Sequence, residues 1–440
     1  MSIYIDRGIH PPLLTSSPEV IQASFPPSVS LDVSSFRPRG FVSMVKEGEK
    51  VRVGSPILRH VSLEGLYLVS PVAGHVHRLA CSRGCRPDSV EIFLAEKQEA
   101  LIFPPLLEIS DPSVLVREMG SRGLLTCVRS MPCDVLPNPS QRPRAIFVKT
   151  LESAPGCFSP FAWLKLYWND FVLGLRLLQR ICPHDLHVIS DMVASIPKQS
   201  QLEGIHYHQA KGPHPVGNGA VHVHFLDRIT SLEEVVWLLS ARDVVAIGKH
   251  GSEGLYWPES FFSIFHSEKP VEGVVIQSIL GAPVQTVLAP FQDRHCLVGH
   301  QFISGHVFGG ARIGQSGFMR LQDHCLTLIG KRACSNLHVP SLPFSRKMQF
   351  LYCPNPSNVA AVFPFDHAFY ECVFPMDLPL VHLLRACWAS DLEEAKRCGL
   401  LEISLEEAAL LSAVCPARFD FVSLIEKALQ VCYNDHSFSR

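Results

Sequence analysis

Five histidines, His206, His208, His214, His222 and His224, crowd one stretch of the chain. Imidazole titrates nearest neutral pH and is the commonest ligand for zinc, copper or nickel. Lys211-Gly212-Pro213-His214-Pro215 makes a stiff turn, because each proline fixes its own φ. Gly217-Asn218-Gly219 makes a flexible one. Ala220–Leu226 then alternates, with Val221, Val223 and Phe225 on one side and His222 and His224 on the other. Period two predicts a strand that projects both histidines from one face. His206-x-His208 repeats the spacing and offers a third ligand from a second strand, as a catalytic metal with one open position requires. A metal-dependent soluble enzyme is one reading. The plain alternative is a loop feeding a core strand, its histidines facing water or satisfied at a domain seam.

These residues need a scaffold, and composition bounds it. The chain has 440 residues, 47% hydrophobic and 18% charged, with net charge −2 and pI near 6.9. That is globular and long enough for two to four domains. No basic stripe is present, which argues against nucleic acid. The beginning, MSIYIDRGIHPP, lacks the apolar core of a secretory signal. The uncharged run Gly273–Gln292 is as long as a membrane span. Gly281, Pro283, Pro290 and three glutamines predict instead two short strands joined at Gly281-Ala282-Pro283. Fifteen cysteines without a signal point to reduced thiols. No C-x-x-C pair occurs, and Cys81 with Cys85 is too sparse for zinc or an iron–sulfur cluster. Cys415 is expected to pack as a small hydrophobe.

Along the chain the fold class reads as α/β multidomain. Residues 1–36 form a lead-in that joins the α/β part. Residues 37–100 carry short strands and glycine turns, similar to the barrel-sandwich of biotinyl and lipoyl domains. The hairpin His60–Gly65 has no lysine to carry a cofactor, so only a biotinyl-fold scaffold remains. Residues 101–255 alternate strand and helix: a helix over Ser113–Met119, a strand at Arg144–Lys149, and a helix Phe171–Ile181 capped by Asn169 or Asp170. A strand at Asp185–Ser190 follows, then one at Val235–Leu239 and a capping box at Ser240/Asp243. This is a Rossmann-like domain. Its first turn, Thr150–Gly156, holds one glycine and lacks G-x-G-x-x-G, which argues against NADH or flavin. Residues 256–335 read as a small β-grasp-like (SLBB-like) domain, and 336–374 as a connecting β segment. Residues 375–440 form a helical bundle with capping boxes at Ser390/Glu393, Ser404/Glu407 and Ser423/Glu426.

A family resemblance rests on specific runs. Tyr370–Asp377, Leu383-Leu384-Arg385, Gly399–Glu402, Glu406-Glu407 and Val414-Cys415-Pro416 stand in one order. With them go Gly212-Pro213-His214-Pro215, Gly219, His222, His224, Asp243–Lys249, Ile303-Ser304-Gly305 and Ser70–Val76. Together they resemble the NqrA family, a subunit of the sodium-translocating NADH:quinone oxidoreductase, from near residue 7 to near residue 421. There are departures: Ala282–Val287 lacks two arginines of the family pattern, Gln301 replaces another, and Arg83-Gly84-Cys85-Arg86-Pro87 thins a basic run. The chain is therefore identified as a divergent member.

The resemblance implies a peripheral protein on the cytoplasmic face of a bacterial inner membrane, with no transmembrane helix. It implies a translocase complex that oxidises NADH, reduces ubiquinone and exports sodium. The complex uses NADH, flavins, iron–sulfur and ubiquinone, while this chain is expected to bind no cofactor and to be non-catalytic alone. Expected partners are the membrane and flavin-carrying subunits NqrB to NqrF. Gly212, Pro213, His214, Pro215, His222 and His224 become candidates for contact with quinone or a partner. No catalytic or metal residue is assigned.

Overall fold

A computed structural model of the chain describes residues 2–10, 18–81, 86–193, 196–197, 201–267, 274–291, 299–330, 365, 369–415, 417 and 419–438. The connecting segment expected at 336–374 and the pair Cys81/Cys85 lie largely or partly outside them.

The central sheet has six strands in the order Ser2–Tyr4, His206–Lys211, Leu186–Ser190, Ala145–Lys149, Val236–Ser240, Arg129–Met131. All neighbours are parallel except the last pair. Both faces are covered, so Ala145–Val148 and Leu186–Ser190 are buried at every position. Alternation sorts their side chains. Ile146, Val148, Trp237 and Leu239 join the core that includes helices Trp168–Ile181 and Ala241–Glu253. Ala145, Phe147 and Val236 join the core that includes the C-terminal helices. The two helices on the first face cross closely: a Cβ at Gly174 would lie 2.0 Å from the Val244 carbonyl oxygen.

Three further sheets flank this one. The largest has six strands, ordered Ala311–Ile313, Gln301–Ser304, Cys325–Ile329, Glu259–His266, Val274–Ile279, Glu19–Gln22. A four-stranded sheet joins Ser28–Asp32, Ser89–Leu94, Gly74–Ala80 and Lys50–Val51, and a three-stranded one joins Phe41–Ser43, Pro56–His60 and Tyr67–Val69. Residues 2–4 and 19–22 thus enter different sheets. The C-terminal part is helical: Phe369–Val373, Leu380–Ala389, Leu392–Arg397, Leu405–Val414 and Phe421–Phe438. Mixed α/β sheets with a helical C-terminal region match the expected class.

Local signals succeeded where a cap or a stop was decisive. Ser240/Asp243 is a complete capping box, and its helix ends at Gly254 in the left-handed conformation, φ +67°. Ser404/Glu407 is a second complete box. Ser390/Glu393 is not: Ser390 closes the preceding helix at φ +60°, and Asp391 caps the next. Ser423 sits inside its helix, where its N–H donates to Asp420. Neither Asn169 nor Asp170 caps its helix, which begins at Trp168 without a side-chain cap. In the uncharged run, Val274–Ile279 is a strand and Gly281 turns at φ +72°, but the second half is a helix, Val284–Leu288. Among the described residues no helix is long and apolar enough to cross a membrane.

The largest correction concerns Ala220–Leu226. It is a helix, Gly219–Leu226, not a strand. Gly219 through His224 are all buried, and Phe225 of the apolar set is the exposed one, so the alternation does not separate a wet face from a dry one. Two residues along a helix turn through about 200°, so His222 and His224 point to opposite sides.

Candidate cavity at the sheet switch point

Strand order creates the site. From Ala145–Lys149 the chain moves outward to Leu186–Ser190 and His206–Lys211, then returns to the other side at Val236–Ser240. The connections diverge between the carboxyl ends of Lys149 and Ser240, which are in register. Open α/β sheets bind ligands at such a point. A cavity of about 450 Å³ opens there, lined by Phe147, Lys149, His222, Ser240, His306, Phe308 and Glu406 among others.

Charges around it are paired. Arg129 donates to Asp134, at 2.6 Å from Nε to Oδ1, and to Glu406 at 2.7 Å. Lys149 lies 3.1 Å from Glu152, Arg320 lies 2.7 Å from Asp323, and Arg37 lies 3.0 Å from Glu426. Burial opposes ionisation of Glu406, but Arg129, Lys149 and nearby histidines hold its carboxyl down at about 2. Its neighbour Glu407 goes the other way. Burial and the adjacent Glu406 push it up to about 7, although Ser404 and Asn218 donate to it.

The loop after the first strand, where a dinucleotide fold presents phosphate-binding amides, is covered by the His214 turn. Ser153 Oγ lies 3.0 Å from His214 Nδ1, and the Gly217 N–H donates to Ser153 Oγ at 2.7 Å. A Cβ at Gly217 would meet Ser153 at 2.7 Å, so this closure needs glycine. Paired cations and a covered loop do not fit a pyrophosphate.

Each histidine from the sequence has a defined place. His214 is held by the N-terminal segment: the Ile9 N–H donates to its carbonyl at 2.7 Å and its own N–H returns the bond at 2.9 Å. Gly212, at φ +145°, lets the turn pass the Ile5 carbonyl, which a Cβ would approach to 2.3 Å. Pro213 and Pro215 flank this turn. The ring of His214 stacks 5.3 Å from Phe308, one layer behind the cavity, and burial drops its pKa to about 3. His222 reaches the cavity wall. Its Nε2–H donates to the Val216 carbonyl at 2.7 Å, its Nδ1 has no partner among the described residues, and burial drops its pKa to about 4. His224 faces the opposite way. Its Nδ1–H donates to Glu402 at 2.7 Å, and its Nε2 accepts from the Asp377 N–H at 3.1 Å. His206 bonds the His184 carbonyl and His208 bonds His187. The five rings are not gathered, and no His/Cys/Asp/Glu group among the described residues could hold a metal. Cys415 is buried and accepts from the Tyr370 hydroxyl at 3.1 Å.

Sequence reasoning missed Arg129, Lys149, His306, Phe308 and Glu406 as cavity residues. Lys149 left one signal, a charge ending a buried strand. The others come from distant segments that only folding joins.

The family description "NqrA second alpha/beta domain" matches residues 111–256, which hold five of the six central strands in full. Over 406 residues the chain is 27% identical to the NqrA protein of Rhodopirellula baltica, part of a Na(+)-translocating NADH-quinone reductase, covering 88% of each chain. The protein of the same name from Cellvibrio japonicus is 27% identical over 98% of this chain and 100% of its own length. That from Neisseria meningitidis is 27% identical over 88% of this chain and 89% of its own. Residues 111–256 thus match the second alpha/beta domain of NqrA, and most of the chain is similar to proteins named as that subunit. Within the part that matches the NqrA domain, the Gly212–His224 segment has a structural task apart from any ligand: it covers the Thr150–Gly156 loop and ties the sheet to the C-terminal helices.

Proposed function

We propose that this chain serves as the peripheral NqrA component of a Na+-translocating NADH:ubiquinone reductase. It contributes to ubiquinone reduction coupled to sodium export and carries no redox cofactor of its own. The observation that carries this reading is the full-length similarity to relatives of that name. The paired charges and covered loop at the switch point support a non-redox role. In finer terms, the two small sheets between Ser28 and Leu94 form a biotinyl-like barrel-sandwich domain. The central sheet is a Rossmann-like domain without its nucleotide fingerprint, and residues 256–335 form an SLBB-like domain. The chain sits at the cytoplasmic face against NqrB to NqrF. His222, on the cavity wall, and His214, behind it on the Gly212–Pro215 turn, contact quinone or a partner; His224 contributes by holding the helical region in place.

The test is purification of the complex from membranes with and without this chain, followed by NADH:quinone assay with and without sodium. Loss of sodium-dependent quinone reduction is expected when the chain is absent. Intact activity without it would sink the assignment, and flavin or iron–sulfur absorption in the purified chain would sink the non-redox role.

A further inference from the structure

A second cavity, of about 130 Å³, adjoins the first and shares Lys149, His306 and Glu406 with it. Its wall includes two cysteines far apart in sequence, Cys157 and Cys325. The loop that leaves Ala145–Lys149 folds over the strand Glu259–His266. It passes so close that a Cβ at Gly156 would lie 2.3 Å from the Cβ of Phe265. Cys325 opens the neighbouring strand, in register with Ser263. Its Sγ lies 3.9 Å from the Gly156 carbonyl and 3.7 Å from Thr327 Oγ1. Cys157 follows directly on Gly156, whose carbonyl Cys325 Sγ approaches, so the two cysteines meet at one wall of the cavity. Cys157 is half-buried at the cavity, while Cys325 is enclosed. The other buried thiols, such as Cys387, Cys398 and Cys432, pack into the apolar core of the helical region instead.

We propose that Cys157 and Cys325 are a dithiol pair that reacts with small hydroperoxides and closes to a disulfide between the first-strand loop and the Cys325–Ile329 strand. Cys325 reacts first. The neighbouring Cys157 and Thr327 hold its thiol below the usual range against burial, while the neighbouring Cys325 and burial push Cys157 up. The Cys325 sulfur attacks the outer peroxide oxygen, the O–O bond breaks, and the alkoxide leaves as an alcohol after taking a proton. Cys325 is then a sulfenic acid. The Cys157 sulfur attacks it, the S–O bond breaks, and water leaves with the Cys157 proton. Two thiols lose two electrons and two protons, and the hydroperoxide becomes alcohol and water. This pair does not depend on the role proposed above for the chain in the reductase.

The experiment uses the full-length reduced chain, hydrogen peroxide as the probe, and intact mass with non-reducing peptide mapping. Loss of two hydrogens and a Cys157–Cys325 linked peptide are expected, reversed by a dithiol reductant. Cys157→Ser should block the cross-link and leave Cys325 as a sulfenic acid that dimedone labels; Cys325→Ser should abolish both. Thermal melts of the reduced variants check that each is folded. No linked peptide from the wild type, linkage through the exposed Cys81 or Cys372, or dimedone label that persists at the same level in Cys325→Ser would each overturn the proposal.

Discussion

At the scale of single residues, burial decides the chemistry of the histidines. His214, His222 and His250 are enclosed, with pKa values driven down to about 3, 4 and 4. The unfolded chain binds protons on these groups below about 6.5, and the native chain does not. Their contribution is therefore fully present above that pH and is lost as pH falls towards 4. Each unit of separation is worth about 1.4 kcal/mol, so the urea midpoint should drop between pH 7 and pH 5. A flat midpoint over that range would contradict the buried, neutral assignment. Glu407 has the opposite sign. Its native pKa of about 7 exceeds the usual 4.5, so native protein holds a proton that the unfolded chain has released. Stability from this group declines as pH rises through that window. Glu407→Gln should remove this opposing slope, so that the midpoint falls more steeply from pH 7 to pH 5 than in the wild type, while an amide oxygen still accepts from Asn218.

Helix ends and glycine stops were legible from the chain because they are local. Ser240 accepts from the Asp243 N–H while Asp243 reaches back to the Ser240 N–H. Ser240→Ala and Ser404→Ala should each lose about 1 kcal/mol in urea unfolding, the usual cost of deleting a cap. Ser423→Ala should change little, because Asp420 holds that end. Equal losses in all three would mean that the caps are not what stabilises these ends. Helix Gly219–Leu226 was illegible for a physical reason. Periodicity reports a difference between a wet side and a dry side, and here six successive residues, Gly219 to His224, are buried whatever their polarity. Val284–Leu288 was missed similarly: Val284, Thr286, Val287 and Leu288 are all buried.

Across the whole molecule, three carboxylates of the 402–407 segment fasten the C-terminal helices to the α/β sheet: Glu402 to His224, Glu406 to Arg129 and Glu407 to Asn218. Arg129→Ala would leave Asp134 and Glu406 without their cation. Breaking a buried pair costs about 3–5 kcal/mol, and the 26% exposure of the Arg129 side chain places this one near the low end. Hydrogen exchange should accelerate first in Leu405–Val414, before the central sheet loosens. Unchanged protection there would show that apolar packing alone seats the helices. His222→Ala, by contrast, should leave this junction intact and change quinone kinetics in the complex; unaltered kinetics would reduce His222 to a core residue.

From sequence alone came the α/β class, the two complete capping boxes and a family resemblance carried by runs spread over the chain. These rest on neighbours in sequence, whose preferences do not depend on what packs above them. Tertiary structure decided the direction of His222 and His224, the covering of the Thr150–Gly156 loop by Ser153 and His214, and the meeting of Arg129, Lys149, His306 and Glu406. It also brought Cys157 to Cys325. Each of these depends on strand order and on contacts between segments tens to hundreds of residues apart. The five histidines that looked like one site were divided because a helix with six successive buried residues stands where alternation predicted a strand.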